Sequence, residues 1–175
     1  PYTGDGQAVC STVMHNFDGA AFFRSWFNSM RDSQDKETGY VPNSAPWCPA
    51  AGGGVARGAA MSIMPWEYYM NYGDKKVIAE NYNASKRQID YMLTWVKPDG
   101  TMHQSRKNAI DNGDCYWMNL GDWVPPYKFP GDDKVHTYML WRCADRMSKM
   151  AKVMGNDADE KHYRDLADKT RDAYD

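Results

Sequence analysis

The chain reads as an all-α protein assembled from helical hairpins. Apolar residues recur at helical spacing over several long segments, and Gly-Asp and Gly-Asn pairs cut those segments into helix pairs. No period-2 alternation of any length appears. Between the hairpins lie long stretches rich in aromatic residues, Gly and Asp. Long loops on a helical scaffold usually carry function. Repeated hairpins with such loops suggest an α/α toroid or solenoid, in which the loops gather at one end.

The first informative stretch is Tyr2-Thr3-Gly4-Asp5-Gly6-Gln7. Gly4 and Gly6 predict a tight or left-handed turn that can come close to a ligand. Asp5 can accept hydrogen bonds from two hydroxyls, and Gln7 can donate and accept. That chemistry suits a polyol such as a sugar, although Gly-Asp-Gly is also ordinary turn chemistry. A helix is then predicted from Phe17 to Asp32, with Phe17, Ala20 or Ala21, Phe23 or Arg24, Phe27 and Met30 at near-helical spacing. His15, Asn16 and Asp18 before it are capping or site candidates. Glu37 to Pro46 is a loop by its Gly and Pro punctuation, and it runs on into Gly52-Gly53-Gly54. No Lys-Ser/Thr follows those glycines, so a P-loop is excluded and a flexible, substrate-facing loop is expected.

The apolar pattern resumes from Ala59 to Tyr72, where Pro65 is expected to kink the helix or open its second half. Gly73-Asp74 reads as a left-handed helix stop followed by the N-cap of the next helix. That helix carries Ile78, Tyr82, Ile89, Met92 or Leu93 and Val96, and ends before Pro98-Asp99-Gly100. In the following pair, Val135, Met139, Cys143, Met147, Met150 and Met154 form one stripe, expected to be buried core rather than a cofactor site. Gly155-Asn156-Asp157 ends it, Asp157 to Glu160 resembles a capping box, and a last helix runs through His162 to Tyr174.

Composition narrows the function. The chain has 175 residues and a net charge of -2 with no block of like charge, so nothing points to nucleic acid. No apolar run approaches membrane-spanning length, and no segment reads as a signal peptide. The 7 Trp, 12 Tyr and 5 Phe fit sugar stacking as well as core packing. Cys10, Cys48, Cys115 and Cys143 contain no CxxC pair, which argues against zinc. Buried free thiols are expected, with a disulfide left open. No motif calls for a cofactor or metal.

One loop stands out. Asp111-Asn112-Gly113-Asp114-Cys115-Tyr116-Trp117 leads into Leu120-Gly121-Asp122-Trp123-Val124-Pro125-Pro126, alternating carboxylates with indoles. A pyranose site uses carboxylates for the hydroxyls and an indole face for the ring. The same residues also suit a rigid loop plugged by Trp and capped by Asp.

Tyr2 to Gln7, Asn16-Phe17-Asp18, Ala21-Phe22-Phe23, Arg31-Asp32, Pro65-Trp66-Glu67-Tyr68-Tyr69 and Gly121-Asp122-Trp123, in that order, resemble the bacterial α-L-rhamnosidases of glycoside hydrolase family 78. The resemblance covers essentially the whole chain. It departs at Tyr2, where the family usually has Trp. It implies an (α/α)6 barrel and inverting hydrolysis of terminal α-L-rhamnosides, with a rhamnose-containing glycoside or polysaccharide as partner. By resemblance, Asp5 matches the family's sugar-binding carboxylate. Trp66, Asp122 and Trp123 fall at its aromatic and carboxylate positions, with the indoles covering the C6 methyl. Glu67 is expected to be structural. The family's general acid would precede Pro1 and its general base would follow Asp175. Residues 1–175 are therefore expected to be about the first half of the barrel, truncated at both ends, inactive alone and completed by the rest of the barrel. The resemblance favours a periplasmic or secreted location. Another α/α-barrel carbohydrate-active enzyme, or a non-catalytic helical sugar-binding piece, are the alternative readings.

Overall fold

The computed structural model describes residues 2–48, 55–103 and 131–174. The helices are α1 (Thr3–Asn16), α2 (Ala20–Ser33), α3 (Val55–Gly58), α4 (Ala60–Tyr72), α5 (Lys75–Leu93), α6 (Asp132–Met154) and α7 (Asp157–Tyr174). Among the described residues the only β pairing is two isolated bridges, Tyr2 with Ser44 and Val96 with Met102. No described helix is long and apolar enough to cross a membrane.

Hairpin pairing sets the layers. α4 packs on α1 and on α6 in one layer, while α5 and α7 return against α4 and α6 in a second. α2 joins that second layer, touching both α4 and α5. Double-layered hairpins of this kind are the α/α toroid arrangement expected from the sequence. The turns within the two later hairpins are short because the caps close them at once. Gly73 (φ 69°) and Gly155 (φ 71°) take the left-handed conformation that a residue with a Cβ adopts only at a cost. Asp74 then caps α5, its carboxylate accepting from the Lys76 amide at 2.9 Å. At the next turn the capping pair sits one residue earlier than expected. The Asp159 amide donates to Asn156 Oδ1 at 3.1 Å, and Asn156 Nδ2 donates back to the Asp159 carboxylate at 3.0 Å. The last helix accordingly starts at Asp157 and runs through His162 to Tyr174.

With the short turns at one end, the C-terminal end of α5 and the first turns of α4 and α6 lie at the other. The start of α1 is there too, tied to the segment after α2: the Thr3 amide donates to the Asn43 carbonyl at 2.8 Å.

The core falls into two clusters with α4 between them. Cys10, Met14, Phe23, Trp26, Phe27 and Met30 of α1 and α2 meet Met61, Met64 and Tyr68 of α4. On its other side, Ile63 joins Ile78, Ile89 and Met92 of α5 and Leu140, Met147 and Met150 of α6. Of the expected α6 stripe, Cys143, Met147 and Met150 are fully buried, while Val135 and Met139 are half-buried. Met154 is a correction: at the last position of α6 it lies beyond the packed length of α7 and is 42% exposed.

Pro65 is expected to kink the helix or open its second half, and the second half does not open. α4 runs on as one helix through it. Proline removes the amide that would bond the Met61 carbonyl, four residues back. The Ser85 hydroxyl of α5 supplies a replacement, donating to that carbonyl at 2.8 Å in a fully buried position. Across the second layer, Asp159 accepts from Tyr82 at 2.9 Å and from Lys86 at 2.9 Å, linking α7 to α5. Burial raises the Asp159 pKa, but the Lys86 and Tyr82 bonds outweigh it and hold the carboxyl below its ordinary range.

Ser85→Ala removes the hydroxyl that donates to the Met61 carbonyl and leaves that carbonyl buried. An unpaired buried acceptor costs about 1–3 kcal/mol, so urea unfolding should show that loss while Ser85→Thr recovers part of it.

His136 gives a pH signature. Its Nδ1 lies 3.0 Å from the His103 carbonyl, which fixes the proton on Nδ1, and burial lowers its pKa below 6.5 against the opposing pull of that bond. Above pH 6.5 the ring is neutral whether folded or unfolded, so it adds no pH dependence. As pH falls below 6.5 the unfolded chain takes up the proton first, and stability falls by at most about 1.4 kcal/mol per pH unit. His136→Gln should flatten the unfolding free energy between pH 6.5 and 5, measured by denaturant titration at each pH.

Candidate functional site

The first turn of α1 carries the sugar-binding candidate, and its geometry corrects the reading of Gly4 and Gly6. Neither forms a turn: both are buried inside α1. They are glycines because neighbours press on the helix there. A Cβ on Gly4 would lie 2.3 Å from the Arg57 side chain of α3, and one on Gly6 would lie 1.9 Å from the Trp26 ring of α2. Thr3 anchors this turn, its hydroxyl lying 3.2 Å from the Pro42 carbonyl and 3.1 Å from that of Asn43. Asp5, between the two packed glycines, projects into solvent. Its carboxylate is in the first turn, where the exposed amides of the helix favour a negative charge.

Gln7 is not at the open side. It is buried, and its amide donates to the Met139 sulfur of α6 at 3.6 Å. It therefore holds α1 to α6 rather than meeting a ligand.

Trp66 sits on α4, the helix next to α1. It is half-buried, its ring 5.7 Å from that of Tyr69 and packed on the core cluster beneath, with part of the indole left open. Asp5 and Trp66 thus come from adjacent helices of one layer. Glu67 behaves as the structural residue expected: it pairs with Arg146 of α6 at 3.4 Å. Arg146 also meets Asp145 at 2.5 Å, and Lys149 meets Asp145 at 2.8 Å. Asp122, Trp123, Gly52-Gly53-Gly54 and the whole stretch from Asp111 to Pro126 lie outside the described residues.

The buried thiols offer no nucleophile. Burial, with the Glu67 charge adding to it, pushes Cys10 up to about 11. Burial alone pushes Cys143 up to about 12. Both are free and protonated near neutral pH, as expected from the sequence, but Cys48 is free and exposed, against that expectation. It follows the Pro46-Trp47 corner rather than sitting on a helix face. Among the described residues no group of His, Cys, Asp and Glu is arranged to hold a metal.

The sequence reading missed a concavity of about 560 Å³ at the C-terminal end of α2, with Asp32, Ser33, Glu37, Pro46 and Trp47 in its wall. The one available signal was Trp47, an aromatic following proline in a loop that opens with carboxylates.

Residues 1–175 match the bacterial α-L-rhamnosidase six-hairpin glycosidase domain. An α-L-rhamnosidase of an Alteromonas species (strain LOR) is 34% identical over 130 residues, 72% of this chain and 12% of the relative. One from Streptomyces avermitilis is 29% identical over 174 residues, 99% of this chain and 15% of the relative. Among solved structures, a Streptomyces avermitilis α-L-rhamnosidase complexed with L-rhamnose superposes with a TM-score of 0.84 at 26% identity, covering 99% of this chain and 15% of that one. An α-L-rhamnosidase from Dictyoglumus thermophilum gives 0.80 at 30% identity, over 99% and 18%. The chain therefore spans only 12 to 15% of the first two relatives' length.

Gly6→Ala tests whether packing, not turn geometry, selects the glycine. The new methyl meets the buried Trp26 ring, and overpacking of this kind costs about 1–3 kcal/mol. The melting temperature should fall in Gly6→Ala and recover in part when Trp26→Phe is added to it; no loss in the single variant would contradict the contact.

Proposed function

The chain belongs to the bacterial α-L-rhamnosidase six-hairpin glycosidase family, and from that premise we propose that it forms the sugar-binding end of an enzyme hydrolysing terminal α-L-rhamnosides with inversion. The observation that carries this reading is Asp5: a solvent-facing carboxylate at the loop end, between two glycines packed against Arg57 and Trp26. In such a mechanism one carboxylic acid protonates the leaving oxygen while an opposing carboxylate activates water, the two roughly 6.5–9.5 Å apart. On this reading both of those groups lie beyond residues 1–175, in the remainder of the barrel. Asp5 then accepts hydrogen bonds from rhamnose hydroxyls, and as a nearby anion it helps keep the acid protonated. Trp66, Asp122 and Trp123 complete the pocket, the indoles lying against the C6 methyl. An apolar contact there favours the deoxy sugar over a 6-hydroxyl hexose only modestly.

The test uses the full-length enzyme with an aryl α-L-rhamnoside. The first product seen by NMR should be the β-anomer. Asp5→Asn keeps the shape but exchanges an acceptor for a donor and removes the charge. Loss of a charge-assisted bond is worth about 1.5–3 kcal/mol, so kcat/KM should fall about 10- to 150-fold, with kcat sharing the loss if the bond tightens in the transition state. A near-wild-type kcat/KM with a lower melting point would instead leave Asp5 as a helix-end residue and withdraw it from the site.

A further inference from the structure

The concavity at the end of α2 is built from parts that suit a sugar ring. Trp47 is 44% exposed, an unusual state for so large an apolar ring, yet its backbone is held from several sides. The Trp47 amide donates to Ser33 Oγ at 3.1 Å, the Cys48 amide donates to Ser44 Oγ at 3.1 Å, and the Trp26 indole donates to the Ala45 carbonyl at 2.9 Å. The indole is therefore presented rather than loosely hung. Ser29, Ser33, Asp32 and Glu37 line the same space. Those two carboxylates have no hydrogen-bond or ion-pair partner among the described residues. Asp35 is already engaged, accepting from the Thr38 amide and hydroxyl at 2.6 Å each. A volume of about 560 Å³ admits one or two pyranose rings, within the range of small-molecule sites.

We propose that this groove is a second sugar subsite, with Trp47 as its stacking platform and Asp32 and Glu37 as hydroxyl acceptors. Its occupant is an uncharged pyranose of an oligosaccharide substrate. Charge sets that class: Asp32, Asp35 and Glu37 face the space against the single ammonium of Lys36, which disfavours a uronate or a sulfated sugar. Location connects it to the substrate. Pro42 and Pro46 line the groove, and the Pro42 and Asn43 carbonyls accept from Thr3, two residues before Asp5. This subsite rests on the carbohydrate reading proposed above, and it goes beyond it in naming where a longer substrate is held.

The experiment compares three substrates on the full-length enzyme: an aryl α-L-rhamnoside, a neutral rhamnose oligosaccharide and its counterpart carrying a uronic acid. Losing one stacking contact is worth about a tenfold change in affinity. Trp47→Ala should raise KM for the neutral oligosaccharide by that factor and leave the aryl rhamnoside unchanged, while Trp47→Phe restores most of the loss. The double variant Asp32→Asn, Glu37→Gln should narrow the preference for the neutral oligosaccharide over the uronate. An unchanged oligosaccharide KM in Trp47→Ala, or an equal loss on both rhamnosides, overturns the subsite. If the wild-type enzyme cleaves no aryl rhamnoside, the hydrolase reading fails by itself. Calorimetric titration with the neutral oligosaccharide then decides the groove: weaker binding in Trp47→Ala upholds it, and equal or absent binding overturns it.

Discussion

The fold depends on one helix whose first half has no free face. α4 contributes Met61, Met64 and Tyr68 to one core cluster and Ile63 to the other, so nearly its whole first half is enclosed. A helix that is apolar all round is stable only when surrounded. α1 and α2 close one side of it, α5 and α6 the other. A proline in such a helix removes a hydrogen bond where no water can replace it. The Ser85 hydroxyl fills that gap from the neighbouring helix, so the backbone accounting closes across the α4–α5 contact rather than within α4. Pro65 therefore couples the continuity of α4 to the docking of α5.

A second constraint follows at the loop end. Because α1 must lie close against α4, α3 and α2, its first turn cannot carry side chains on its packed faces. Gly4 yields to Arg57 and Gly6 to Trp26, which leaves Asp5 as the side chain between them that faces water. The position of the carboxylate is thus a consequence of packing on both sides of it. Thr3 fixes the axial position through the Pro42 and Asn43 carbonyls, so the same bonds that place Asp5 also place the segment leading to Trp47.

These constraints explain what the sequence made legible and what it hid. Gly73-Asp74 was readable because a left-handed stop and an N-cap are local chemistry, visible in two adjacent residues. The middle of the α6 stripe was readable because its period alone sets which side is buried. α1 was hidden because Gly4 and Gly6 look like turn residues, and only their contacts with residues far along the chain make them helical. Pro65 misled for the same reason, its compensation coming from Ser85 on another helix. The capping pair slipped by one residue because Asn156 with Asp159 and Asp157 with Glu160 are alike as sequence patterns, and only the helix start chooses between them. At the candidate site, Asp5 and Trp66 are named by the resemblance, while the Trp47 groove depends on how residues 42–47 fold back on α2.

The distribution of ionisable groups then separates stability from recognition. Buried Cys10, Cys143 and His136 are all held in their neutral forms by their surroundings, which suits packing and leaves no proton to trade near neutral pH. Among the described residues no Asp, Glu, Lys or Arg is fully buried, and half-buried charges such as Asp159 with Lys86 and Tyr82, and Glu67 with Arg146, are paired. Asp5, Asp32 and Glu37 at the loop end, which have no partner among the described residues, are exposed to water. A group that water already solvates gains from a ligand only by forming several well-placed bonds at once, which a sugar, with its adjacent hydroxyls, can supply. The packed layers therefore contribute position rather than reactivity, and the carboxylates they leave at the loop end are the groups that the proposed sugar contacts call on.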